Sequence, residues 1–430
     1  MKKSMQSLRS KVPRIAIFNS KSENSEYTVH SGGNRNCYMS SSLVDCEDVH
    51  YTDWGFYCKD SLDLYMCTGC ELCYFCFSCE KCYSSMYLEH SEGLNFSYLC
   101  FDCRGSNNLI GCSELRNKEY MVLNQKVTPE EFEKYLHALK TNPEYRKEFL
   151  KSYDQLKAQT PKRFAMEKNC ENCTGNNLVN AKNATNCYDS KNLEDVRYCQ
   201  DTGDMKDCCD CTRIGTGEML YECKAIIDLN YSKFCNLCYY SSNLQYCDNC
   251  QNAHDSFGCM SLKNNKFCIL NKQYTKEKYE ELMPQIIEHM KKEKSYGEFF
   301  PVELTVYGYN ETKAFEWFPM TRQEVLAKGW EWREKDIRQY LPGTNEILAC
   351  VDCGKNYRII PYEGKFYEKL GLPIPKKCPD CRHFERVAWQ SPRRLWERVC
   401  MKCSTDFKTT YSPDKTDIVY CDACYLGTLN

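Results

Sequence analysis

The chain has 430 residues, with 57 Lys and Arg against 59 Asp and Glu, a formal net charge of −2. That balance excludes a globally basic nucleic-acid binder, and no apolar run approaches the ~18 residues of a membrane span. Cysteine is the anomaly, with 34 residues against seven His. Such a count marks a disulfide scaffold only in short secreted chains. The opening MKKSMQSLRSKVPRIAIFNS has no apolar core of signal-peptide length; its longest apolar run is IAIF. A reducing cytoplasm is therefore expected, with thiols free or on metal.

Residues 1–35 carry seven basic and two acidic side chains and are Ser/Asn-rich. They read as a flexible basic arm, with a strand joining the first coil as the alternative. From Cys37 to Cys112 every cysteine falls on a lattice of period three, filled between cysteines by Ser, Leu, Val, Thr and Gly. The stretch 66–83, MCTGCELCYFCFSCEKCY, shows it most densely, with Cys67, Cys70, Cys73, Cys76, Cys79 and Cys82. From Cys187 to Cys268 the lattice resumes in one phase, and Cys170, Cys173 and Cys209 fall off it.

A strand repeats its facing side every two residues, and a helix drifts ~60° per triplet. Neither sustains one residue in and two out. A narrow β-solenoid does, and there Cys packs as a small hydrophobe between Ser and Leu in size. A longer unit, C-x2-S-x2-L-x2-C, recurs at steps of 21 and 24 residues, which predicts the coil length. The rival is an iron–sulfur cluster. Ferredoxin-type ligation requires C-x2-C-x2-C-x3-C-P, and the x3 spacing and the Pro are missing. Cys170 and Cys173 read either as half a metal site or as the ragged start of the second solenoid.

Residues 111–136 and 258–283 match at an offset of 147, so the chain holds two copies of solenoid, short strand and helix. Thr128-Pro129-Glu130-Glu131 is a capping box with Pro at N1, and Thr275 supplies half a box. The apolar stripes Phe132/Leu136 and Tyr279/Leu282/Ile286 are expected to cap the open solenoid ends or pack on a flank. The expected units are solenoid copies at 36–126 and 169–272, a helical excursion at 127–168 and a capping helix at 273–294. An aromatic connector follows at 295–349, with a capping box at Thr321.

Residues 350–430 contain four CxxC pairs: Cys350/Cys353, Cys378/Cys381, Cys400/Cys403 and Cys421/Cys424. Two CxxC turns complete a tetrahedral shell of four thiolates, so two structural zinc ions are expected, paired sequentially, with cross-bracing as the alternative. Four protein ligands leave no open position for catalysis. Between the modules lie Lys376, Lys377, Arg382, Arg386, Trp389, Arg393, Arg394, Trp396 and Arg398. Ser391-Pro392 is expected to start a short helix there. Arginines interleaved with aromatics form a candidate nucleic-acid or protein patch. Residues 350–430 carry 14 basic and 10 acidic side chains, and two tetrathiolate zinc centres of about −2 each offset that excess. A solvated or intramolecular face is the plain alternative.

The triplet cysteines, FFPVELTVYGYNETKAFEWFP, the two CxxC pairs that follow and TTYSPDKTDIVYCDACY together resemble a cysteine-rich triplet-repeat, β-helix-like family of candidate-phyla bacteria with C-terminal zinc-ribbon modules. The last module also resembles a wider group of small zinc ribbons ending in VYCxxCY. The resemblance spans nearly the whole chain, implies the architecture and brings no activity with it. No phosphate loop, HExxH or GxSxG motif is present, and Glu114, Asp189, Glu194, Asp201 and Asp204 form no recurrent constellation in the sequence. The expected fold is mainly β with α, a duplicated β-solenoid with helical caps and zinc modules. The expected function is a non-enzymatic zinc scaffold for a protein or nucleic-acid partner, without membrane attachment or small-molecule substrate. A multi-thiol redox or metal-storage protein and a β-helix carbohydrate-active enzyme are the alternatives.

Overall fold

The computed structural model describes residues 2–13, 17, 19–68, 71–75, 82–209, 214–218, 226–230, 240–298, 300–334, 342–343 and 347–429. It is a mixed α/β structure. Its strands are short and mostly parallel, and the cause is a backbone rhythm of three. Left-handed φ values recur at that period from Lys21 (φ 51°) to Leu123 (φ 46°) and again from Asn177 (φ 56°) to Leu270 (φ 50°). Asn, Asp and Gly fill many of these corners, being the residues that tolerate this region best. The residue after each corner points inward, and the next one joins a ladder.

Parallel neighbours are offset by twelve residues: Asn19 pairs with Ser31, Cys100 with Cys112, Leu193 with Met205 and Ser256 with Cys268. Four triplets therefore return the chain to the same ladder. This corrects the 21- and 24-residue coil expected from the C-x2-S-x2-L-x2-C unit, which marks recurring side chains rather than one circuit. The strands stack into a five-stranded and an eight-stranded sheet in the first copy and into smaller sheets in the second.

The inward lattice is the core. Cys37, Leu43, Cys46, Val49, Cys58, Leu64, Cys73, Cys82, Leu88 and Cys100 are among the residues of one buried cluster. Leu178, Cys187, Leu193, Val196, Cys199, Cys247, Cys250 and Cys259 belong to the other. Cys70, Cys76, Cys79, Cys211, Leu220, Cys223, Cys235 and Cys238 lie outside the described residues.

Size alone does not explain the lattice chemistry. Ser97 donates to the Asn95 carbonyl at 2.9 Å and accepts the amide of Leu109, one circuit on, at 3.3 Å. Ser31, Ser40, Thr52, Ser85 and Ser91 likewise accept from Leu43, Thr52, Leu64, Ser97 and Cys103. Cys259 takes the Asn271 amide at 3.4 Å. Inward amides after a left-handed corner face the axis, where an unpaired N–H is costly. A hydroxyl or thiol from the circuit before satisfies them. Sulfhydryls also donate, as Cys37 does to Arg35 and Cys46 carbonyls. Burial pushes the Cys37 and Cys112 thiols up to about 12, which keeps them protonated.

Cys170 and Cys173 pack against the second core. Their phase differs because this circuit has eleven residues: Glu167 pairs with Leu178 and Cys170 with Ala181. The shortened corner holds Gly175 at φ +146°, where a Cβ would sit 1.7 Å from the Cys187 carbonyl oxygen.

Both stacks end alike. Asn124 brackets Ser113, and Asn271 brackets Met260, each through its side-chain oxygen and nitrogen. Tight hairpins follow, Met121 opposite Lys126 and Cys268 opposite Gln273. The described helices are α1 (Lys2–Arg9), α2 (Pro129–Thr141), α3 (Pro143–Gln159), α4 (Lys276–Lys292), α5 (Lys313–Trp317), α6 (Arg322–Ala327), α7 (Pro361–Leu370), α8 (Pro379–Val387) and α9 (Asp422–Leu426). Thr128 and Thr321 form full capping boxes, and Thr275 accepts from Lys278.

Phe132 of α2 packs with Ile110 and Val122, outward-facing residues of the first stack, and with Phe149 of α3. Tyr279 and Met283 of α4 pack with Phe257 and Ile269 in the same way. The helices therefore cover flanks. The N-terminal segment differs from a flexible arm: Met5 of α1 is buried in the α4 cluster, and Asn19–Ser20 and Ser31–Gly32 are strands of the first stack. Lys168 of the second stack reaches Glu92 of the first at 3.0 Å, so the stacks touch along outward-facing positions. In the connector, Tyr309 stacks on Trp330 at 5.5 Å and Phe315 meets Trp332 at 5.7 Å.

Candidate metal centres

Each C-terminal module is a short antiparallel hairpin followed by a helix. In the first, Leu348–Ala349 pairs with Asn356–Tyr357, and Cys378 is the N-cap of α8. In the second, Trp396–Val399 pairs with Asp406–Thr409, and Cys421 is the N-cap of α9. The knuckles are built alike. Gly354 (φ 74°) and Ser404 (φ 60°) take the left-handed position, and their amides bond the Cys350 and Cys400 carbonyls at 2.9 and 2.8 Å. Val351 donates to Lys376 and Met401 to Val419, which fixes each knuckle against the start of its helix.

The sulfurs of Cys350, Cys353, Cys378 and Cys381 lie within 4.8 Å of one another, as do those of Cys400, Cys403, Cys421 and Cys424. Cys353 and Cys378 approach to 3.7 Å, and Cys403 and Cys421 to 3.6 Å. Each quartet could hold one metal ion. The grouping is sequential, not cross-braced. Burial pushes the Cys350 thiol up, but the amides of Cys378, Cys353 and Asp352 outweigh it and bring the group down to about 6. At Cys400 burial is likewise outweighed by the amides of Cys421, Cys403 and Lys402, again to about 6. Amides aimed at sulfur favour thiolate, the form that ligates. Among the described residues no interior set of cysteines gathers in this way.

The basic segment faces inward more than outward. Arg382 is 3% exposed and pairs with Asp63 at 2.7 Å and Glu363 at 3.1 Å. Arg386 is 3% exposed, with Asp63 at 2.9 Å and the Tyr51 carbonyl at 3.2 Å. Arg393 is 6% exposed and clamped by Asp189, Asp201 and Gln200, with Trp317 beneath it at 4.0 Å. Trp389 packs on Phe75, and Arg398 bonds the Asp417 carbonyl. These residues are not an open patch: they dock the modules onto the stacks, where burial of a guanidinium requires matched acids. Lys377 pairs with Asp352 and Glu385, while Lys376 and Arg394 are exposed and Trp396 is half-buried beneath Arg394. Ser391-Pro392 starts no helix; the chain runs extended into the Trp396–Val399 strand, because the hairpin partner Asp406–Thr409 recruits it.

The acids that receive the modules are corner residues: Asp60, Asp63, Asp102, Asp189 and Asp201 all have positive φ. Tyr362 donates to Asp60, and Tyr425 and Arg116 converge on Asp102. Beside them burial pushes the Glu114 carboxyl up to about 8, with Asp102 reinforcing it. Nothing in the sequence sets Asp189 and Asp201 apart from the other acidic corners, because their partner Arg393 stands some 200 residues away.

No family model matches the chain, and no curated protein matches it. Among solved structures the chain is similar to one described as a "putative acetyltransferase" from Desulfovibrio desulfuricans G20, with 10% identity over 60% of this chain and 75% of that one. The TM-score is 0.12, so this likeness carries no argument about fold or activity.

Proposed function

We propose that the protein is a non-enzymatic zinc scaffold: two β-solenoid stacks of twelve-residue coils, clamped by two zinc modules, that hold a macromolecular partner. The observation that carries the reading is the pair of four-sulfur clusters, each set between a knuckle and a helix N-terminus. Four cysteine ligands in a hairpin-plus-helix frame suit tetrahedral zinc and close the coordination shell, which is a structural rather than a catalytic site. The twelve-residue register and the left-handed corners support the solenoid. Interior thiols such as Cys37 and Cys46 donate to backbone carbonyls, and burial raises the Cys37 and Cys112 thiols, which favours packing over a redox ligand array. Asp189 and Asp201 are committed to Arg393, which weighs against their acting as a hydrolase pair. Among the described residues no disulfide joins the cysteines, which is what a reducing compartment would leave. Among the described residues no helix is long and apolar enough to cross a membrane.

The test is elemental analysis and absorption of anaerobically purified protein. Two zinc ions per chain without colour is the expected result, falling to one in Cys403→Ser. Iron with a visible band, or four or more metals, would instead make the triplet cysteines a ligand array and overturn the reading.

A further inference from the structure

A cleft of about 390 Å³ opens where the second stack, the connector and the last hairpin meet. Its lining includes Arg393, whose guanidinium is held by Gln200, Asp189 and Asp201 and lies over Trp317, so this cation is already committed to two carboxylates. The rim is different. Tyr198 is 50% exposed and Phe318 is 44% exposed. Arg394 and Lys408 also line the cleft, are exposed, and take part in no ion pair among the described residues. Glu397, the carboxylate of the lining, is the ladder partner of Lys408. Asn186 and Gln200 add amide groups to the lining.

The volume lies within the ~300–1,000 Å³ of small-ligand pockets. Two solvent-facing rings beside two unpaired cations match what single strands require, since a ring stacks any base and a cation neutralises the adjoining phosphate. A duplex keeps its bases stacked on one another and offers the rings nothing. An acidic peptide would engage the cations and leave both rings wet. We propose that this cleft binds single-stranded nucleic acid, with a base stacked on Tyr198 or Phe318 and the adjoining phosphate between Arg394 and Lys408. The inference rests on the scaffold reading for its partner class but not for its metals.

The probe is a fluorescein-labelled oligouridylate or oligothymidylate followed by anisotropy at increasing salt. Wild-type protein is expected to bind both. Removing both rings, Tyr198→Ala with Phe318→Ala, should weaken binding at least tenfold. The neutral pair Arg394→Gln with Lys408→Gln should flatten the log–log salt slope by about 0.7, the value for one phosphate of a single strand. A circular-dichroism spectrum and melting temperature unchanged from wild type show that the variants are folded. A chain with two zinc ions that ignores both oligonucleotides would sink this inference and leave the scaffold reading standing; a chain without metal would sink that reading instead. Equal binding of polyglutamate, indifferent to the ring variants, would also overturn the proposal, in favour of an acidic protein partner.

Discussion

Ser97→Ala separates two accounts of the lattice. If the interior wants only small side chains, the substitution is harmless, because it removes a polar group from a dry core. If the hydroxyl satisfies the next circuit, the Leu109 amide loses its 3.3 Å acceptor in a fully buried site. An orphaned buried donor costs about 1–3 kcal/mol, and the serine's own bond to Asn95 adds about 1 kcal/mol to the loss. A destabilisation of about 2–4 kcal/mol is therefore expected. Ser97→Cys should cost less than about 1.5 kcal/mol, since sulfur accepts the same amide where Cys259 meets Asn271. Urea unfolding measures both, and native-state amide exchange at Leu109 places the effect in the first stack. A Ser97→Ala protein as stable as wild type, or more stable than Ser97→Cys, would refute the hydrogen-bonding account and return the lattice to packing alone.

Gly175→Ala forces a Cβ against the Cys187 carbonyl at 1.7 Å, and backbone cannot yield as a flexible side chain would; loss of folded second stack, seen as a lowered melting temperature or insoluble protein, is expected. His50 is 3% exposed, stacks on Tyr362 at 4.4 Å, and has both ring nitrogens without a hydrogen-bond partner. Burial, against a weaker pull from Asp63, brings its pKa from 6.5 to about 4, so in that window the unfolded chain takes the proton and the folded chain does not. Stability should thus be complete above about pH 6.5 and fall with acid by about 3 kcal/mol at pH 4. His90 acts in the same direction, and a His50→Phe profile unchanged from wild type would count against His50 as the source. Arg382→Met leaves Asp63 with Arg386 and Glu363 with only the Tyr51 and Tyr367 hydroxyls, and should cost about 3–5 kcal/mol. Faster proteolysis of residues 350–430 would report it, and unchanged cleavage would mean that the first module docks by its apolar face alone.

The cysteine quartets were legible because metal-binding knuckles are local: two residues between thiols and a turn after them are enough. The caps at Thr128, Thr275 and Thr321 were legible for the same reason. The lattice of small residues announced a one-in, two-out backbone, yet its circuit length was misread. Side-chain recurrence at 21 and 24 residues reports which circuits carry cysteine, whereas the register is set by backbone amides that any side chain can accompany. The Asn and Asp at positions divisible by three carried the better signal, since they tolerate the left-handed corner.

The sequence by itself determined the triplet rhythm, the inward set, the duplication and the two four-cysteine clusters, all of which depend on spacings along the chain. Only the tertiary structure decided the fate of the charges between the modules. Whether Arg382, Arg386 and Arg393 face water or acid depends on Asp63, Asp189 and Asp201, which stand some 190 to 330 residues away and meet them only when the stacks are built. The same long-range meeting opens the cleft between Tyr198, Phe318 and Arg394, because no interval along the chain encodes a junction of three separately folded parts.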